Sequence, residues 1–208
     1  MDGMAKFDSS IAPAPAFPKA AMREPPPDSD GEAMRRWVAG DRGAFEGIVR
    51  RWEGPVGRFL ARLTGDGEEA SDLLQEVFLR VYLKGAAYRD VGHFRTWLYQ
   101  IALNLARDAA RRKVRKPAVA LTEMHDPPCA AEPPDDGERA ALVSAALAEL
   151  PAAQREVVVL RHYEDLTFEA MARLLGVPAT TLKSRFGVAM AKLEQALRAR
   201  GMTPENAP

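Results

Sequence analysis

Apolar residues return every three or four positions along most of this chain, and glycine, proline and acidic runs punctuate them, which predicts helices throughout. From Glu32, the residues Met34, Trp37 and Val38 form a short apolar face that ends at Gly40-Asp41. Ala44, Phe45, Ile48, Val49 and Trp52 continue the helical spacing. Gly54-Pro55 interrupts it before Val56, Phe59, Leu60 and Leu63. After the turn Thr64-Gly65-Asp66-Gly67, residues 68–84 read as a helix with Leu73, Leu74, Val77, Phe78 and Val81 as core positions. A glycine and aromatic loop leads to FRTWLYQIALNLARDAARRKVRK, a long helix in which Trp97, Leu98, Ile101 and Leu105 can pack inward.

The pattern is lost over residues 117–138, which hold five prolines and six acids and no lysine or arginine. That composition predicts a flexible acidic linker. Helical spacing resumes at Glu138, runs to about Leu150 and restarts at Pro151 as PAAQREVVVLRHY. Helix formers flank Val157-Val158-Val159, so this strand-like run reads as buried helix. Residues 165–193, DLTFEAMARLLGVPATTLKSRFGVAMAKL, read as a helix-turn-helix. Phe168, Met171, Leu174 and Leu175 give its first helix a buried face, and Gly176-Val177-Pro178 supplies the turn. The second helix presents Thr180, Thr181, Lys183, Ser184 and Arg185 outward, with Leu182, Phe186 and Leu193 inward.

The expected fold is therefore all-α: two small helical domains joined by a flexible acidic linker, the second containing the helix-turn-helix. Residues 1–31 carry six prolines and no apolar periodicity and read as a disordered tail. The expected domains span 32–116 and 138–200, with the linker at 117–137 and a short tail at 201–208.

Composition narrows the function more than the fold. The 208 residues sum to a net charge of zero, but the charges are segregated. Arg107 to Lys116 holds six bases against one acid, and the linker behind it is acidic. A single cysteine, Cys129, excludes an internal disulfide, and three scattered histidines offer no metal spacing. No secretory pattern opens the chain and no run of eighteen apolar residues occurs, so a cytoplasmic protein is expected. Enzyme chemistry has no support, because no phosphate-binding glycine loop, metal cluster or nucleophile motif is present, and no cofactor is expected.

Nucleic acid fits the charged segments better. Short hydroxyls and long bases at a helix start suit the major groove, where hydroxyls hold phosphates and arginine or lysine reaches base edges. Residues 70–82 show Asp72, Gln75, Glu76 and Arg80 opposite an apolar face, with Leu79 and Tyr82 at its margin. Such a mixed surface can dock on another protein's helices, although it also describes an ordinary solvated face. Around the third segment, Tyr88, Arg89 and Phe94 bring aromatics and a base beside Asn104, Arg107, Asp108 and Arg111. Stacking platforms and cations of this kind can hold unpaired bases. Trp97 fits simple core packing better, and His93 is equally readable as an inert loop residue.

Three segments in this order resemble the extracytoplasmic-function sigma factors, promoter-specificity subunits of bacterial RNA polymerase. ASDLLQEVFLRVY (Ala70–Tyr82) looks like sigma region 2.2, and FRTWLYQIALNLARDAARRKVR (Phe94–Arg115) looks like regions 2.3 and 2.4. ELPAAQREVVVLRHYEDLTFEAMARLLGVPATTLKSR (Glu149–Arg185) looks like region 4. The resemblance implies that Asp72, Leu73, Gln75, Glu76, Leu79 and Tyr82 bind the clamp helices of the polymerase largest subunit. It implies that Tyr88, Arg89, Phe94, Arg95, Asn104, Arg107, Asp108, Arg111 and Arg112 face the −10 element. Thr180, Thr181, Lys183, Ser184, Arg185 and Lys192 would then face −35, near the flap of the second-largest subunit. The partners implied are core RNA polymerase, promoter DNA and, in many relatives, an anti-sigma factor.

The chain departs from the family at Thr180, where relatives commonly carry a smaller residue, and in one stretch beyond it. Relatives commonly carry bases near Val188 and Met190, where this chain has Gly187-Val188-Ala189-Met190. Fewer phosphate contacts imply a shallower salt dependence. Gly187 costs its helix roughly 1 kcal/mol relative to alanine and would allow another backbone to approach. The acidic linker has two open readings, a mimic of nucleic acid in the polymerase cleft and a solubilising tether. The rival function is a helix-turn-helix regulator that binds operators without polymerase, which leaves residues 70–115 unexplained.

Overall fold

A computed structural model describes residues 28–85, 88, 94–115 and 137–201. Among them the elements are α1 (Asp28–Val38), α2 (Arg42–Thr64), α3 (Gly67–Lys84), α4 (Phe94–Arg115), α5 (Gly137–Glu149), α6 (Ala152–Val158), a π turn (Val159–Tyr163), α7 (Phe168–Leu175) and α8 (Ala179–Ala199). No strand occurs among the described residues, in agreement with the all-α expectation.

The first unit is built on α2. Ile48, Trp52, Val56, Phe59 and Leu60 lie on one stripe of this helix and are all buried. Gly54-Pro55 does not break it, contrary to the sequence reading: Pro55 lies inside one continuous helix. Proline costs about 3 kcal/mol in a helix interior, yet burying each large apolar side chain on both sides of it returns roughly 1.5–3 kcal/mol. The helix ends at Gly65, in the left-handed conformation, whose N–H donates to the Ala61 carbonyl. One residue on, the Asp66 side chain accepts from the N–H groups of Glu68 and Glu69, each at 3.0 Å, and starts α3. Ala70, Leu73, Val77 and Val81 then face the core from α3, and α4 contributes Leu98, Tyr99, Ile101, Ala102 and Leu105.

Helix α1 begins at Asp28, ahead of the boundary expected at Glu32. The reason is Asp30, a buried carboxylate that accepts from Trp52 Nε1 at 3.2 Å and pairs with Arg51. A carboxylate in the first turn also suits the positive end of the helix. Val38, expected on the apolar face, is exposed.

The second unit packs α6, α7 and α8 about Leu182, Leu193 and Met171, with α5 laid against α8. Val157, Val158 and Val159 are all buried in helical backbone, as read from the sequence. The helix-turn-helix is closed by local chemistry. Thr167 Oγ1 accepts from the Ala170 N–H at 3.1 Å, and left-handed Gly176 donates to the Ala172 carbonyl at 3.0 Å. The two units are not apart: one buried cluster runs from Met34 through Phe59 and Tyr99 to Leu160, Met171 and Leu182. The linker expected at 117–137 falls, up to residue 136, outside the described residues.

Gly187 has no neighbour within 4 Å of the position its Cβ would occupy, so no second backbone approaches it. Gly187→Ala is therefore expected to stabilise the fold by about 1 kcal/mol, raising Tm by about 2–4 °C in a thermal melt.

Candidate functional site

Three surfaces carry the residues singled out from the sequence. On α8, Thr180, Thr181, Lys183, Ser184 and Lys192 are exposed and Arg185 is half-buried, while Leu182 and Leu193 anchor the opposite face. No side chain caps the first turn of α8, so its amides remain available to an anion. Lys183 Nζ lies 5.8 Å from the Phe168 ring centroid, which leaves the ammonium on the rim of the α7–α8 corner. Val188, where a base was expected from the family pattern, is exposed and apolar.

On α3, Asp72, Gln75, Leu79 and Tyr82 face outward, and Arg80 Nε donates to Glu76 Oε1 at 3.0 Å. Leu79 and Tyr82 are 53% and 50% exposed, and the neighbouring Leu83, which the sequence reading passed over, is 68% exposed. Tyr82 stacks on Trp37 at 4.6 Å between centroids and meets Phe45 edge-on at 5.5 Å, so α1 and α2 support this face from behind. Leu73 corrects the expectation: it is 5% exposed and packs in the core, because it shares the inward stripe with Ala70, Val77 and Val81.

On α4 the expected group divides. Asn104, Arg111 and Arg112 are exposed. Asn104 accepts from Gln100 Nε2 at 3.2 Å, and Asp108 pairs with Arg111, whose hydrogen bond holds that carboxyl below the usual carboxylate range. Phe94, expected to meet a base, is instead 4% exposed, boxed in by Trp52, Tyr88 and Trp97 with centroids 5.8–6.0 Å away. Trp97 is partly buried against the core, as its packing reading had it. Tyr88 is half-buried, and burial pushes its phenol up. Arg89 and His93 lie outside the described residues.

Arg95 and Arg107 turn toward the second unit. Arg107 donates from Nε and Nη2 to the two carboxylate oxygens of Glu156, at 2.7 and 2.6 Å. That hydrogen bonding raises the guanidinium above its ordinary value. Arg95 Nη2 donates to the Glu164 carbonyl, and Tyr99 Oη donates to the Glu164 carboxylate. Burial pushes Glu164 above the usual carboxylate range, against the lowering influence of Tyr99 and Arg95. Arg155 adds a further link, donating to the carbonyls of Leu147 and Ala148 at the end of α5 and of Leu63 at the end of α2, at 2.6–2.9 Å. Glu156 and Glu164 were not singled out from the sequence, since their partners lie far away in the chain; Arg155 was not either, because an isolated charge in a helix reads as solvated.

The comparisons bear on these three surfaces together. Residues 48–116 match the family model Sigma-70 region 2, and residues 140–193 match Sigma-70, region 4. The ECF RNA polymerase sigma factor SigM of Mycobacterium tuberculosis is 35% identical over 170 residues, covering 81% of this chain and 85% of that protein. The chain belongs to the extracytoplasmic-function sigma factors. The RNA polymerase sigma factor CarQ of Myxococcus xanthus is 35% identical over 165 residues, 79% of this sigma factor and 95% of CarQ. Two solved structures share the fold. The sigma factor RpoE in complex with the anti-sigma factor NepR, from Bartonella quintana, aligns with a TM-score of 0.63 at 22% identity, over 74% of this chain and 96% of that one. CnrH in complex with the cytosolic domain of CnrY aligns with a TM-score of 0.62 at 24% identity, over 83% and 99%. The resemblance read from the three segments therefore holds, and the sigma factor serves RNA polymerase in promoter recognition. Among the described residues, no helix is long and apolar enough to cross a membrane.

Inward and outward positions on α3 are separable by stability alone. Leu73→Ala is expected to cost about 2–5 kcal/mol in urea unfolding, and Leu79→Ala no more than about 0.5 kcal/mol.

Proposed function

We propose that this sigma factor docks on the clamp helices of core RNA polymerase through the outer face of α3, with Asp72, Gln75, Glu76, Leu79 and Tyr82 in contact. Asn104, Arg111 and Arg112 on α4 engage the −10 element together with Tyr88, Arg89 and Asp108, and Arg95 and Arg107 join them when the second unit moves away. Helix α8 enters the major groove at −35 with Thr180, Thr181, Lys183, Ser184 and Arg185, and Lys192 adds a phosphate contact further along, near the flap of the second-largest subunit. Residues 32–116 and 138–200 act as the two working units, and the acidic linker spans them. The subunit makes no bond itself: recognition and strand opening are its contributions, in the cytoplasm where the polymerase works. An anti-sigma factor belongs among its partners by analogy with the RpoE and CnrH complexes.

The observation that carries this reading is the first turn of α8, uncapped and surrounded by exposed hydroxyls and a lysine on a helix locked from behind by Leu182. A polar cluster of that shape on a rigid support suits phosphate and base-edge contact. The competing operator-binding reading makes no use of the exposed Leu79–Tyr82–Leu83 face, which an RNA polymerase surface would cover.

Run-off transcription with sigma-free core polymerase on genomic fragments is expected to yield discrete transcripts that depend on this chain. Failure of the folded protein to bind core would overturn the reading in favour of an operator-binding regulator. On a promoter found in this way, Lys183→Ala is expected to weaken binding across sequences and to reduce the salt slope by about one unit.

A further inference from the structure

Gly85 follows the last turn of α3 in ordinary helical geometry, at φ −53° and ψ −42°. Nothing in that backbone calls for glycine, which lowers helix stability relative to alanine. Space does call for it. A Cβ on Gly85 would stand 2.8 Å from Trp37 Nε1, 3.1 Å from Trp37 Cδ1 and 3.5 Å from Met34 Cε. Backbone hydrogen bonds hold Gly85 in place: its N–H donates to the Tyr82 carbonyl, and its carbonyl accepts from the Tyr88 N–H at 3.1 Å. The indole is confined as well. Its centroid lies 4.6 Å from the Tyr82 ring and 5.0 Å from the Phe45 ring, and Met34, which faces the same slot, is fully buried. Phe45 and Tyr82 meet edge-on at 5.5 Å and complete a three-ring cluster, so α1, α2 and α3 converge on one tryptophan.

We propose that Gly85 is a positioning residue for polymerase docking: the slot it leaves seats the Trp37 indole, and the indole fixes the Tyr82 ring on the outer face of α3. Gly85 is itself buried, so it acts without touching the partner. Tyr82 is half-exposed beside the exposed Leu79 and Leu83, with one side on Trp37 and the other open to a partner. Tyrosine is among the residues that anchor interfaces, and a ring already held before contact loses less rotamer freedom on binding. A methyl group at position 85 takes the place of the indole nitrogen. With Gly85 tied to Tyr82 and Tyr88, the indole is the part that gives way, and Tyr82 then loses its support. This inference rests on the reading of the α3 outer face as the surface that meets core polymerase.

The test uses the full chain carrying 5-fluorotryptophan at its three tryptophans, Trp37, Trp52 and Trp97, with Trp37→Phe to assign the first fluorine resonance. Gly85→Ala is expected to move the Trp37 resonance while that of Trp52 stays in place. The same change is expected to weaken binding to core polymerase about tenfold. Made in the Trp37→Phe background, whose ring lacks the nitrogen nearest the new methyl, it is expected to cost no more than about twofold. An unmoved Trp37 resonance would overturn the slot. A moved resonance with core affinity unchanged would overturn the docking role, and equal losses in both backgrounds would overturn the route through Trp37. Should Gly85→Ala fold poorly, Trp37→Leu empties the slot from the other side and is expected to weaken core binding in the same direction; unchanged affinity overturns the proposal. A folded parent that does not bind core sinks the docking reading and this inference together, whereas a parent that binds and is indifferent to Gly85→Ala sinks the inference alone.

Discussion

The segment from Ala152 to Tyr163 is the constraint on which the rest of the structure depends, because it is covered on both sides. Val157, Val159 and Leu160 belong to the cluster shared with α2 and α4, whereas Val158 points into the smaller cluster with Leu147, Ala189 and Leu193. A helix with one apolar stripe can leave its charges in water. This one cannot, so each charge near it has to be matched. Arg155 caps the carbonyl ends of α5 and α2, Glu156 takes Arg107, and Glu164 takes Tyr99 and Arg95. Leaving one such charge buried without its partner costs about 1–3 kcal/mol or more, so Arg155, Glu156 and Glu164 are each met.

The same requirement explains what could be read from the sequence and what could not. Local signals were legible wherever the physics is local. Gly176 and Thr167 close the helix-turn-helix as their chemistry dictates, and Gly65-Asp66 ends one helix and caps the next. The α8 face was legible too, because its inward Leu182 and Leu193 and outward Thr180, Thr181 and Lys183 follow helical spacing. Pro55 misled because a local breaker was weighed without the buried stripe on either side of it. Leu73 and Phe94 misled for the opposite reason: family position suggested contact with a partner, while periodicity and aromatic neighbours placed them in the core. Glu156 and Glu164 carried no signal at all, since their partners lie 49 and 65 residues away in the chain.

Long-range pairing also changes how a two-unit sigma factor is pictured. The sequence suggests independent domains on a tether, yet α2 and α4 share buried surface with α6, α7 and the π turn. The surfaces proposed for polymerase and for −35 DNA remain exposed in this arrangement, at Leu79, Tyr82 and Leu83 on α3 and at Thr180, Thr181 and Lys183 on α8. The residues proposed for −10 contact are divided, with Asn104, Arg111 and Arg112 outside and Arg95 and Arg107 engaged.

Charge balance follows from the same long-range pairing. In sequence the basic end of α4 is a block of six bases against one acid. In the fold several of those bases meet acids: Lys113 donates to Glu69 at 2.8 Å and lies 3.6 Å from Asp66, Arg111 pairs with Asp108, and Arg107 is held by Glu156. Exposed pairs such as Arg111–Asp108 contribute little stability, about 0–1 kcal/mol, and are screened by salt. Their effect is on the field: a cation already facing a carboxylate attracts a distant phosphate less strongly than a bare one. Arg107 differs from the others because its partner sits on the other unit. A net charge of zero thus hides a pairing that crosses the fold: two cations of α4, Arg95 and Arg107, meet acids of the second unit, and only the fold reveals which acid answers which base.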